Sequence, residues 1–304
     1  MAIIIVCSSL FTGCSGTSED KQSEVQPSTE QSISEQTTKS TESVKTESDK
    51  MFEFETQELS CRKGDQNIFG QVYIPQTDNN NKMPAVIIGH GFGGTYIKNY
   101  RFAETFAQNG IVAYLFDFCG GSPSSQSDGK TTEMSIVTEK EDMLAAFDEV
   151  SKLDYVDTDN IFLFGESQGG LVASLCGAEL TDKVKGLALL YPAYNIPDIA
   201  KETFSDASLV PDEYEMLGMT IGKPYYTDSQ SVDVFKEIGK YKGPVQIYHG
   251  TSDSMVPYSY SEEAIKVYEN AKLIPEEGME HGFDGELEYS IANDIVEFIN
   301  ANLK

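Results

Sequence analysis

The sequence predicts an α/β fold, a mostly parallel central sheet with helices on both faces. Three observations carry that expectation. Short runs of strand-forming residues alternate with segments of helical periodicity along most of the chain, and such alternation implies parallel strands joined by helical crossovers. Several of these runs, AVIIGH at 85–90 and IVAYLFD at 111–117 among them, are nearly unbroken apolar stretches, the pattern of strands covered on both faces. One run, NIFLFG at 160–165, passes directly into the helical pattern of 168–179.

Taken in order, residues 52–59 and 67–74 alternate and are separated by SCRKGDQ, which predicts an antiparallel pair near a sheet edge. Further strands are expected at 85–90, 111–117, 160–165, 184–191, 244–250 and 271–277. Helical patterns at 97–109, 134–153, 168–179, 258–270 and 285–303 fill most of the gaps. Between Tyr191 and Pro244 lie about fifty residues without a clean strand. A gap of that size inside one domain predicts a lid insertion after the sixth strand, at about 192–243. Its Tyr194, Phe204, Tyr214, Met216, Met219, Tyr225 and Tyr226 are expected to form the insertion's own small core in preference to an aromatic acyl pocket.

Residues 51–304 suffice for one α/β domain with a large core. Residues 15–50 are almost entirely Ser, Thr, Glu, Gln and Lys. They can bury too little apolar surface to offset their ordering entropy, which predicts a disordered, solvated linker. Of the net charge of −27, −23 falls in residues 51–304, with 41 acidic and 18 basic residues. That excess repels nucleic acid and anionic membrane surfaces. The domain's cysteines, Cys61, Cys119 and Cys176, have no metal-site spacing, and an odd number cannot form a complete disulfide framework. With no H-E-x-x-H cluster in the chain either, neither a metal nor another cofactor is expected.

The stretch LFGESQGGLVASL at 163–175 crowds three glycines around Ser167 where strand gives way to helix. A glycine in a regular element carries an entropic cost, so these positions need another reason. G-x-S-x-G at a strand-to-helix turn supplies it: the serine is thrown out above the sheet, and side chains on the flanking glycines would collide with the neighbouring strand and helix. A reactive serine needs a base, and the chain has three histidines, His90, His249 and His281, each followed by glycine.

Together, HGFGG, the loop DFCGGSPSSQSDGKTTEMSIVTEKEDM, GESQGG, HGTSDSMVP and EHGF resemble the α/β-hydrolase superfamily over essentially all of 51–304. Among its branches the motifs look most like bacterial cinnamoyl and feruloyl esterases and serine aminopeptidase-like hydrolases. The resemblance implies an α/β-hydrolase fold, with Ser167 as nucleophile, Asp253 and His281 as its partners, and the backbone N–H groups of Phe92 and Gln168 as oxyanion donors. The superfamily's order of serine, acid, histidine leaves His90 as a loop-shaping residue and His249 as a packing or turn-capping one. Where many such esterases carry histidine before the nucleophile, this chain has Glu166, balanced between a substrate contact and a buried polar network. Asp117 reads as structural, and Asp142 and Asp148 as residues of a solvated helix face.

The implied activity is a serine esterase cleaving carboxylic esters through an acyl-enzyme intermediate, on cinnamoyl or feruloyl-type or other small acyl esters. The runner-up is a serine peptidase acting on short or N-terminal peptides. A non-catalytic, tethered binding lipoprotein ranks behind both, since a decayed enzyme has no reason to keep serine, acid and base. Residues 1–14, MAIIIVCSSLFTGC, form a short apolar run ending in Phe11-Thr12-Gly13-Cys14, which is similar to the lipobox of bacterial lipoproteins. That resemblance implies a signal peptide, lipidation of Cys14, and export to the outer face of a bacterial membrane. The lipid would be the domain's sole attachment to that membrane.

Overall fold

The computed structural model describes residues 51–77 and 81–304. The 1–14 segment with Cys14, and the 15–50 segment, lie outside the described residues. The described chain opens with β1 (Phe54–Glu58), a hairpin of β2 (Cys61–Lys63) and β3 (Gln66–Ile68), then β4 (Gly70–Pro75) and β5 (Met83–Gly89). Next come α1 (Tyr100–Gln108), β6 (Val112–Phe116), α2 (Ile136–Val150), β7 (Val156–Glu166), α3 (Ser167–Glu179) and β8 (Val184–Leu190). After the insertion follow β11 (Val245–Gly250), α7 (Ser259–Val267), β12 (Ala271–Glu276) and α8 (Gly285–Ala301).

Eight of these strands form one sheet in the order β1-β4-β6-β5-β7-β8-β11-β12. Only β4 runs against its neighbours, pairing antiparallel with β1 and β6, and every other pairing in the sheet is parallel. The apolar runs owe their continuity to cover on both faces. Ile87, Tyr114 and Leu163 point into a core shared with α2 and α3. Their neighbours Ile88, Leu115 and Phe164 point the other way, against α1 and α8. The expected edge pair is present, and SCRKGDQ between its strands folds as the β2–β3 hairpin.

Two expectations need correction. The segment after β8 does contain strands: α4 (Ile196–Thr203), a hairpin of β9 (Glu213–Met216) and β10 (Met219–Gly222), α5 (Lys223–Ser231) and α6 (Val234–Ile238). Four-residue strands sit at the lower limit at which a period of two can be read. The second is Asp142, which is fully buried on α2 rather than solvated. It is ion-paired to Lys63 at 2.5 Å and accepts a hydrogen bond from the Cys119 N–H at 2.8 Å. Asp148, on the same helix, is exposed. Buried Asp117 holds loops at the tip of β6, accepting from the N–H groups of Tyr96 and Gln126, each at 2.7 Å.

Candidate active site

Ser167 is the first residue of α3, directly after β7, and its backbone sits at φ 51°. For a residue with a Cβ, that left-handed conformation is strained and persists only where the surroundings enforce it. The glycines explain the enforcement. A Cβ on Gly165 would lie 2.2 Å from the Gly169 carbonyl oxygen, and one on Gly169 would lie 2.5 Å from the carbonyl oxygens of both Gly89 and His90. Backbone cannot retreat from such contacts, so the turn is closed to any other residue at either place.

Loops after the next strands bring two more side chains to Ser167. Asp253 follows β11, and His281 lies between β12 and α8. Asp253 Oδ2 accepts from His281 Nδ1 at 2.7 Å, and His281 Nε2 stands 3.0 Å from Ser167 Oγ. Because the carboxylate only accepts, Nδ1 carries the proton and the Nε2 lone pair faces the serine hydroxyl. Asp253 Oδ1 accepts from the N–H groups of Met255 and Val256 at 2.9 and 2.8 Å. Burial pushes the Asp253 carboxyl up. Hydrogen bonds from His249, His281 and the Val256 amide outweigh that and hold it well below the usual carboxylate range.

The other histidines have different occupations. His90 Nδ1 donates to the Gly91 carbonyl at 2.8 Å, and its Nε2 accepts from the Phe118 N–H at 3.2 Å, which fixes a neutral tautomer. Burial lowers its pKa. His249 is fully buried, with Nε2 donating to the Val256 carbonyl at 2.9 Å and Nδ1 2.7 Å from Ser261 Oγ. It thereby braces the loop that carries Asp253. His249→Ala is expected to lower the unfolding free energy by ~2–4 kcal/mol, through a cavity and lost buried hydrogen bonds, with a smaller proportional loss of turnover. Urea denaturation beside steady-state kinetics checks it.

Phe92 and Gln168 both border the cavity at Ser167. The loop carrying Phe92 runs close by, since a Cβ on Gly91 would lie 3.3 Å from the Ser167 Cβ. Gln168 is the second residue of α3, in the first turn, where backbone N–H groups have no partner inside the helix and the helix dipole favours negative charge. Glu166 is buried and accepts from Tyr191 Oη at 2.7 Å and from Asn99 Nδ2 at 3.4 Å. Of its two expected roles, the geometry is that of a buried network.

Several residues at the site carry no motif. Tyr191, at φ 35°, sets its ring edge-on to His281 with centroids 4.6 Å apart. The Gln168 side chain turns away from Ser167. Its Nε2 donates to Glu139 Oε2 on α2, and its Oε1 accepts from Tyr225 Oη on α5, each at 2.7 Å. Glu139 is buried, and burial pushes its carboxyl up to about 8 despite the Gln168 hydrogen bond. The insertion's rings serve two ends. Phe204, Tyr214 and Tyr226 pack edge-to-face on one another. Met216, Tyr225 and Tyr226 also line an apolar cavity of about 100 Å³ beside Ser167.

A strained serine at the tip of a parallel sheet, with histidine and aspartate on later loops, defines the nucleophile-elbow class of α/β proteins. The model of the family described as serine aminopeptidase, S33, matches residues 80–213. Est1E from Butyrivibrio proteoclasticus, solved with ferulic acid bound, is 30% identical; the match covers 80% of this chain and 98% of that one, with a TM-score of 0.72. The chain belongs to the α/β-hydrolase superfamily. It is also 31% identical over 96 residues to an uncharacterized 31.7 kDa protein from the traX-finO intergenic region of Escherichia coli, covering 31% of this chain and 32% of that protein. A quorum-quenching protein, AidA of Acinetobacter baumannii, is 27% identical over 120 residues, or 39% of this chain and 36% of that protein. The chain thus spans about a third of the length of the curated relatives it matches.

Proposed function

We propose that the protein is a serine hydrolase of carboxylic esters, with Ser167 as nucleophile, His281 as general base and Asp253 as its orienting acid. The observation that carries this reading is the continuous hydrogen-bond chain from Asp253 through His281 to a serine at φ 51°. His281 takes the Ser167 proton as Oγ attacks the ester carbonyl, and Asp253 stabilises the imidazolium that results. The N–H groups of Phe92 and Gln168 hold the oxyanion, and His281 returns the proton to the leaving alcohol. Water then attacks the acyl-enzyme by the same route and releases the acid.

The bound ferulic acid of Est1E and the apolar cavity beside Ser167 support an acyl ester as substrate. The family model's description favours a second reading, a peptidase acting on short or N-terminal peptides. A free N-terminus is an ammonium, however, and no carboxylate is among the described residues that line the cavity. A fluorophosphonate probe tests both readings, since either requires label on Ser167. Turnover of p-nitrophenyl and methyl esters, against none of aminoacyl anilides, selects the first.

The apolar run before Cys14 and the polar 15–50 segment support export and lipid anchoring. The negative charge of residues 51–304 disfavours their own adsorption to an anionic bilayer, so attachment would rest on the lipid. Cys14→Ser, expressed from its native start, should move activity from the membrane fraction to the medium or leave an unprocessed precursor. Wild-type protein recovered from the cytoplasm with Met1 retained would end the anchoring proposal.

A further inference from the structure

The β9–β10 hairpin turns through two residues, Leu217 and Gly218, since Met216 pairs directly with Met219. Both have positive φ, 51° and 80°. A two-residue turn of that kind strongly favours Asn-Gly or Asp-Gly, because a short polar side chain tolerates the left-handed conformation and an aliphatic one does not. Leucine is therefore a poor choice for the turn. It is also a poor choice for the surface, being 73% exposed. Neither local geometry nor solvation accounts for it.

Position does. Leu217 lines the same cavity as Ser167, and so do Ile199 on α4 and Met255 on the loop after Asp253. Ile199 and Met255 are exposed too, at 43% and 51%. Three exposed apolar side chains from three elements thus border one opening, while the interior is lined by Phe92, Ile196, Met216 and Val256. Most polar side chains in that lining are engaged: Tyr225 Oη donates to Gln168, Gln168 to Glu139, and Asn195 Nδ2 to the Met255 carbonyl, while Tyr226 Oη reaches the Met216 sulfur at 3.9 Å. A phenolic hydroxyl entering there would exchange water for groups that are mostly paired already, at a cost. A methylene chain would exchange water for hydrocarbon.

We propose that Leu217, with Ile199 and Met255, is a specificity-determining platform for the far end of an aliphatic acyl chain. The preferred substrates are then esters of uncharged, medium-chain acids, whose first carbons fill the cavity and whose remainder lies on this rim. This rests on the serine-esterase reading and deepens it.

The test is kcat/KM across p-nitrophenyl acetate, butyrate, hexanoate and octanoate. Wild-type values should rise up to about fourfold for each methylene that reaches the rim, equivalent to ~0.8 kcal/mol. Leu217→Asn installs the residue the turn prefers, so its thermal midpoint should be unchanged or higher, yet its octanoate-to-acetate ratio should fall about tenfold. Ile199→Gln, which changes the rim from α4 and leaves the hairpin untouched, should move the ratio the same way. A ratio within twofold of wild type in both variants, or methyl ferulate turned over faster than methyl octanoate, overturns the proposal. Absence of turnover with every ester, acetate included, instead overturns the esterase reading, and this inference with it.

Discussion

Ser167→Ala will lower kcat/KM for ester hydrolysis roughly 10⁴- to 10⁶-fold and leave the protein folded, with its thermal midpoint nearly unchanged. The size follows from what nucleophile removal does in a cooperating triad. The folding expectation follows from the backbone, since alanine at φ 51° carries the same strain as serine and gives up only a hydroxyl facing His281. His281→Ala should be as damaging. The double variant should be little worse than either, because once one member is gone the other has nothing left to activate. Kinetics on the two single variants and the double, with p-nitrophenyl acetate, decide it. Losses that multiply in the double variant would mean that the two residues act separately, and the assignment would fail.

Glu139→Gln will stabilise the protein in mild alkali and change little near pH 5. Glu139 is enclosed with Gln168, Asp142 and Lys63 as the partners that act on it. Its carboxyl rises from 4.5 to about 8 on folding, so between those values the folded state binds a proton that the unfolded state has released. Wild-type stability therefore declines as pH rises through that window and levels off above it. Glutamine cannot ionise, and the amide keeps an oxygen for Gln168. The variant's advantage should grow to the order of 3–4 kcal/mol by pH 9, at ~1.4 kcal/mol per pH unit. Asp253 acts in the opposite sense, but only in acid: its depressed carboxyl contributes stability that is complete above 3.8 and is lost as pH falls further. Urea titrations of both proteins at pH 5, 7 and 9 measure the difference, and parallel profiles would show that Glu139 stays charged in the fold.

The elbow and sheet were legible because their causes are local or periodic. Gly165 and Gly169 stand where backbone atoms leave no room for a Cβ, and such positions announce themselves in a short window of sequence. Strands such as Met83–Gly89 are apolar throughout because both faces are covered, so a run of residues suffices to find them. The insertion was harder. Its β9 and β10 are four residues each, the shortest length at which alternation can mark a strand. Asp142 looked like a solvated residue because its partner Lys63 lies on β2, far earlier in the chain. For the same reason no motif marks the Gln168 side chain, whose partners Glu139 and Tyr225 come from two other helices. Tyr191 shows nothing unusual until its φ and its contact with His281 are seen together.

Among the described residues, three other than glycine have positive φ: Ser167, Tyr191 and Leu217. Ser167 and Leu217 line one cavity, and Tyr191 packs on the histidine that faces that serine. Selection for heat resistance alone would therefore be drawn to this corner of the molecule. At Ser167 and Leu217 glycine or asparagine relieves backbone strain at little steric cost, whereas Tyr191 is buried against His281 and Phe283, so the same change there would open a cavity. Each step toward a more robust protein would dismantle part of the machinery proposed here. A lineage kept under demand for turnover would retain strained residues at 167 and 217, whereas one freed from that demand would relax at these two while its sheet stayed intact.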